Sequence, residues 1–225
     1  MSEKPILFSS AMVRAILEGR KTQTRRAMKT QPPDGTLRVE PWIVNGVRQI
    51  RQTGGFNSRM PLFVSYEREG TSREYACPYG DIGDPLWVRE TFGLTDVPVS
   101  QINRPCAIWP DSNYEDGYAA AIYRADGEWA TPNSPDSGRF VWRPSIFMPR
   151  WASRITLEVT DVRVERVRDI SEMDARAEGY PQKTKPETAR DWYHRLWDEI
   201  NAKRGFGWDV NPWVWAIIFK AVSNG

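Results

Sequence analysis

Histidine, cysteine and long apolar runs are scarce in this chain, and each scarcity excludes a class of function. The 225 residues hold one histidine, His194, and two cysteines, Cys77 and Cys106. With no CxxC pair and a lone imidazole, the usual zinc-ligand sets cannot be assembled, so neither metal nor cofactor is expected. Two thiols are too few for a disulfide framework. A Ser-His-Asp triad would have to pass through His194, which lies inside an expected amphipathic helix and reads as surface. No apolar run approaches the ~18 residues of a membrane span, and Met1-Ser2-Glu3-Lys4-Pro5 lacks the build of a signal peptide. A soluble, cytoplasmic, metal-free protein is the expectation.

What is present is unevenly placed. Hydrophobic residues make up 40% and charged residues 27%, enough for a packed core. The net charge is +2, yet residues 1–60 hold 11 Lys/Arg against 4 Asp/Glu, and residues 61–140 hold 6 against 13. A basic first quarter in a near-neutral whole points to a local anion-binding surface. The 11 tryptophans supply core, or, interleaved with arginine and proline, stacking surfaces for bases.

Ile6-Leu7-Phe8 reads as a short strand, and Ser9 or Ser10 caps a helix from Ala11 to Glu18 that stops at Gly19. A dense basic segment follows, Arg20-Lys21-Thr22-Gln23-Thr24-Arg25-Arg26. Residues 27–80 are irregular with brief β-like stretches, and residues 93–138 are irregular and proline-rich. Both read as insertions. Between them, Gly80 to Pro85 is a turn, with Asp84 fixing it, and Leu86 to Phe92 alternates as a strand. Arg139 to Trp142 resumes regular structure before a proline-bounded loop. Residues 155–159 and 162–167 form one strand or two meeting at Asp161. Ser171 starts a helix that Gly179 stops, and Pro186 opens another whose Trp192, Tyr193 and Trp197 fall on one apolar face. Trp213 to Phe219 is a closing buried strand. Few helices among many short strands predict an α+β fold with a β-barrel core.

Three segments resemble the ASCH family, a branch of the PUA-like β-barrels. Ile16-Leu17-Glu18-Gly19-Arg20-Lys21-Thr22-Gln23-Thr24-Arg25 matches its helix-then-GxKTxTxR opening. Gly83-Asp84-Pro85-Leu86-Trp87-Val88-Arg89-Glu90 is similar to its GDxLxV turn and strand. Ile155 to Glu178, with the strand from Trp213, resembles its β-β-helix-β ending. The stretch from Trp142-Arg143-Pro144-Ser145 through Arg150-Trp151 to Arg154 looks like the larger members carried by phages and prophages. The resemblance covers roughly half the chain, as domain-size priors lead one to expect. It implies a single domain over 1–225, a small PUA-like β-barrel with flanking helices. Its core would be 5–26, 81–92 and 139–219, with 27–80 and 93–138 inserted.

The family is associated with RNA and modified nucleosides, and one small bacterial member is an N4-acetylcytidine amidohydrolase. Its catalytic residues match Lys21, Thr24 and Glu178 here, with Asp174 as the alternative carboxylate. Arg20, Arg25, Arg26, Arg89, Trp142, Arg143, Ser145, Arg150, Trp151 and Arg154 would then line a substrate or nucleic-acid cleft. The chemistry is coherent in its own terms. A threonine hydroxyl attacks once a base takes its proton. Lysine serves as that base if its pKa falls from ~10.4 towards ~7, about 4–5 kcal/mol of differential destabilisation. In a regular strand Lys21 and Thr24 point to opposite faces, so they converge only across a bend or bulge. Four readings stay open: a nucleic-acid or nucleotide binder, an N4-acylcytidine amidohydrolase, a metal-independent ribonuclease, and a phage-encoded adaptor.

Overall fold

The computed structural model describes residues 3–53, 58–67, 72–95, 107–110, 118–127, 142–181 and 187–222. It is an α+β fold, mostly strand, with three helices among the described residues. The chain enters through β1 (Lys4–Leu7), and Ser9 then caps α1 (Ser10–Leu17) by accepting the Met12 N–H. A cap followed by Val13, Ala15 and Ile16 on the inner side makes this short helix amphipathic. The basic segment becomes β2 (Gln23–Ala27).

Residues 27–80, expected to be irregular, carry six strands. They are β3 (Thr36–Pro41), β4 (Ile43–Val44), β5 (Val47–Arg48), β6 (Ile50–Thr53), β7 (Ser58–Glu67) and β8 (Glu74–Ala76). β3, β6 and β8 all pair with β7. The β4–β5 hairpin turns on Asn45 and Gly46, both at positive φ. That Asn-Gly pair is the strongest short-range hairpin signal a sequence offers, and it marked a strand region read as loop. The segment packs into the main core: Val39, Phe63, Tyr75 and Cys77 join Ile6, Val13, Leu86, Val159 and Ile217 in one cluster.

The central sheet is assembled from distant parts of the chain. β9 (Pro85–Arg89), β13 (Thr156–Arg166) and β14 (Trp213–Val222) complete it with β1 and β2, in the order β1-β9-β13-β14-β2. β1 runs parallel to β9 and the other pairs are antiparallel. Of the two alternatives, one strand or two meeting at Asp161, β13 is one strand, with a bulge between Val159 and Asp161. The sheets are open, so β2 is an edge strand. A second sheet joins β10 (Phe92–Thr95), β11 (Ala107–Pro110) and β12 (Tyr118–Tyr123) in the order β10-β12-β11.

Two helices cover the face of the central sheet beside β2. Ser171 caps α2 (Glu172–Ala177) through the Asp174 N–H, and Thr188 caps α3 (Ala189–Asn201) through the Asp191 N–H. Tyr193 and Trp197 are buried with Val167, Ala175, Trp208 and Val214, as their helical spacing predicted. Trp192 is half-buried against this cluster. His194 stacks on Trp208 at 4.6 Å and its Nε2 lies 3.2 Å from Asp198 Oδ2, one turn along α3. Asp84 fixes its turn by accepting the Asp81 N–H at 2.9 Å. Cys106, Arg139 to Val141 and Pro186 lie outside the described residues. Among the described residues no helix is long and apolar enough to cross a membrane, and no cluster of His, Cys, Asp and Glu is suited to a metal ion.

Candidate functional site

The sequence between α1 and β2 places a lysine in the protein interior. After Gly19 the backbone turns, Arg20 and Lys21 donate to the Ala15 carbonyl, and Lys21 forms an isolated bridge with Glu178 just past α2. The regular strand begins only at Gln23. The ladder with β14 continues back to Thr22, and Lys21 turns away from it to meet Glu178. Gly179 makes the approach possible: its φ is +100°, and a Cβ there would lie 3.0 Å from the Ala15 Cβ and 3.2 Å from the Lys21 Cβ.

The Lys21 side chain is fully buried, and each of its three ammonium donors is used. Nζ donates to Glu178 Oε2 at 2.7 Å and to the carbonyls of Gln23 and Glu178, each at 2.9 Å. Burial pushes its pKa below the ordinary lysine range; the Glu178 charge and hydrogen bond oppose the shift, and Arg26 and Arg25 reinforce it. Arg25 is equally buried. Its Nη1 donates to Glu178 Oε1 at 3.1 Å, its Nε to Glu165 Oε1 at 2.6 Å, and its Nη2 lies 3.2 Å from Asp174 Oδ2. Glu178 is therefore clamped between two cations. Asp174 stands one step back, holding the Gln23 side chain at 3.1 Å.

Thr24, Arg25 and Glu178 open onto a cleft of about 720 Å³ between the β2 edge, β8 and α3. Lys21 is not part of the lining; it stands behind Glu178. Tyr75, Tyr79, Tyr193, Trp197 and Trp215 supply aromatic wall, and Arg26, Lys29 and Arg204 supply positive charge. The Thr24 hydroxyl has no hydrogen-bond partner among the described residues. The β2 main chain contributes too. Phe219 N–H donates to the Thr22 carbonyl and Met28 N–H to the Trp213 carbonyl, so the even-numbered main-chain groups face β14. In an antiparallel ladder the odd-numbered groups then point outward. Lys21 takes the Gln23 carbonyl, and the N–H and C=O of Arg25 and Ala27 face the cleft they line.

The remaining sequence candidates lie elsewhere. Arg20 pairs with Glu18 and donates to the Gly179 and Tyr180 carbonyls, a brace behind the lysine bridge. The expectation of one cleft shared by the basic segment and residues 142–154 does not hold. Two strands, β13 and β14, separate β9 from β2 in the sheet, and the 142–154 segment packs on the β9 side. Arg143 exchanges main-chain hydrogen bonds with Phe92, and Arg89 donates to the Met148 carbonyl at 3.0 Å. Arg150 pairs with Glu3 at 2.5 Å. Arg154 bridges Glu90 and Asp126 at 3.0 and 2.7 Å, 3.9 Å from the Tyr123 ring centroid. Trp151 packs against the cluster of Phe92, Tyr123 and Met148, while Trp142 is half-buried and Ser145 begins a 3-10 turn. Sequence reasoning missed Tyr75, Tyr79, Tyr193, Glu165, Lys29 and Arg204. Tyr193 had been read as core; the two other tyrosines sat in a region read as loop. No local motif marked Arg204, which follows α3.

No protein-family model, curated protein or solved structure matches this chain.

Proposed function

We propose that the chain is an ASCH-type nucleobase-binding protein whose cleft hydrolyses the amide of an N4-acylated cytosine. One observation carries the reading: Thr24 and a Glu178 clamped by buried Lys21 share a cleft walled by aromatic rings. Flat aromatic walls suit a base. The outward N–H and C=O of Arg25 offer a donor and an acceptor to the edge of a pyrimidine.

The reaction would run through Thr24. Its Oγ bonds to the acyl carbon while the hydroxyl proton passes to the Lys21–Glu178 pair. The C–N4 bond then breaks, and the pair returns the proton to N4 to leave the free amine of cytosine. Water cleaves the resulting threonine ester to a carboxylic acid and restores the hydroxyl. Burial moves the lysine pKa down, the direction a proton-accepting role requires. The ribonuclease reading is weaker, since the Lys21 charge is already matched by Glu178 at 2.7 Å and has little field left for a phosphorane.

The test is incubation of the purified protein, separately, with N4-acetylcytidine and a single-stranded RNA in the presence of chelator, followed by chromatography. Cytidine and acetate should appear in the first and intact RNA in the second. Unchanged N4-acetylcytidine at protein concentrations comparable to substrate refutes the hydrolase.

A further inference from the structure

The cleft has two electrostatic layers. Behind its floor the charges are matched three to three: Lys21, Arg25 and Arg163 against Glu178, Glu165 and Asp174. Towards β8 and the end of α3 lie Arg26, Lys29 and Arg204, and none of these makes an ion pair with a carboxylate among the described residues. Arg26 is the telling one. Its guanidinium lies 5.2 Å from the Phe8 ring centroid and donates to the Leu7 carbonyl at 2.6 Å, while its buried Nε has no partner. Among the described residues nine arginines answer a carboxylate, Arg25, Arg48 and Arg154 among them, whereas Arg26, like Arg14, Arg89, Arg166 and Arg190, has only a carbonyl. Burial pushes the Arg26 pKa down, Tyr79 and Glu178 oppose this, and Arg204 stands close enough to add to the repulsion. Arg26 is half-buried and Arg204 exposed, and an anion between them relieves their repulsion. Glu74 is the one carboxylate on that rim, and it has interactions of its own.

We propose that the ligand of this cleft is a nucleotide and not a free nucleoside, its phosphate held by Arg26 with Lys29 and Arg204 while the base lies against the Thr24 and Glu178 floor. The proposal rests on the nucleobase reading and sharpens it. A guanidinium gives a phosphate charge-assisted hydrogen bonds, and two exposed cations flanking it add affinity that salt screens. The phosphate belongs either to a mononucleotide or to a polynucleotide strand.

Calorimetric titration of the intact protein with cytidine, cytidine 5′-monophosphate and a short cytidine-containing single-stranded RNA tests it. The monophosphate should bind about tenfold or more tighter than cytidine at low salt, and the advantage should shrink as salt rises. The monophosphate-to-cytidine ratio should fall towards one in Arg26→Gln and in the exposed double variant Lys29→Ala/Arg204→Ala, which tests the rim even if the first variant folds poorly. Tighter binding of the RNA than of the monophosphate assigns the phosphate to a strand; equal binding assigns it to a mononucleotide. Equal affinity for cytidine and its monophosphate in the parent protein, or a preference untouched in the double variant, overturns the proposal alone. Absence of binding by all three ligands overturns the nucleobase reading with it.

Discussion

Replacing Lys21 by methionine removes the ammonium and keeps most of the buried volume, so it isolates the charge from the packing. Three acceptors lose their donor at once: Glu178 Oε2 at 2.7 Å and the carbonyls of Gln23 and Glu178 at 2.9 Å. Glu178 keeps only Arg25, at 3.1 Å. Breaking one side of a buried pair costs about 3–5 kcal/mol, and relief of the lysine's own desolvation offsets part of it. For a chain of this size that lowers Tm by roughly 6–20 °C. Glu178→Gln alone should cost about 2–4 kcal/mol, because the amide oxygen still accepts from Lys21. The double variant should be less destabilised than the sum by about 1–3 kcal/mol. Urea titration followed by tryptophan fluorescence measures all four corners of this cycle. The pH dependence adds a second readout. Because the folded lysine titrates below its ordinary value of 10.5, the unfolded chain holds the extra proton between the two values. Stability therefore rises with pH across that window, and Lys21→Met should flatten the rise. A Lys21→Met protein within about 1 kcal/mol of the parent, or strict additivity in the double variant, refutes the coupled buried pair.

Thr24→Ala should abolish hydrolysis of N4-acetylcytidine while costing about 1 kcal/mol in stability, since its hydroxyl gives up no hydrogen bond; residual turnover above a hundredth of the parent rate means another nucleophile acts. Lys21→Arg keeps the cation but cannot release a proton near neutrality, so it should be nearly inactive on the amide; parent-like rates exclude a lysine base. Arg154→Ala breaks the Glu90–Asp126 clamp and should destabilise by about 3–5 kcal/mol, with KM for the nucleoside unchanged because the clamp lies on the far side of the sheet. Cys77, its thiol pushed up to about 12 mainly by burial, should resist alkylation at pH 8 until the chain unfolds; rapid labelling of the native protein contradicts its burial.

Legibility followed range. Whatever depended on neighbours in the chain could be read: the Ser9 cap and Gly19 stop of α1, the Asp84 turn, the tryptophan and tyrosine stripe of α3, and the strand character of Trp213 onward. The 27–80 region failed because its strands are short or interrupted by Pro61 and Gly46 and earn their order from pairing with β7, which local propensity does not register. The basic segment showed which residues carry charge but not which charges meet. Arg25 and Arg26 are adjacent, yet strand alternation gives Arg25 two glutamates and an aspartate, and leaves Arg26 over Phe8 with a carbonyl.

The sequence by itself determined a chain poor in histidine and cysteine with a basic α1–β2 junction. Tertiary structure alone decided which side chains meet. Glu178 reaches Lys21 from 157 positions away because Gly179 lets two backbones approach, and Tyr75, Tyr193 and Arg204 arrive from three separate elements. It also drew residues 142–154 away from the cleft, since sheet order places two strands between β9 and β2. Spacing along a chain sets which face a side chain takes; only the pairing of distant strands sets what stands opposite it.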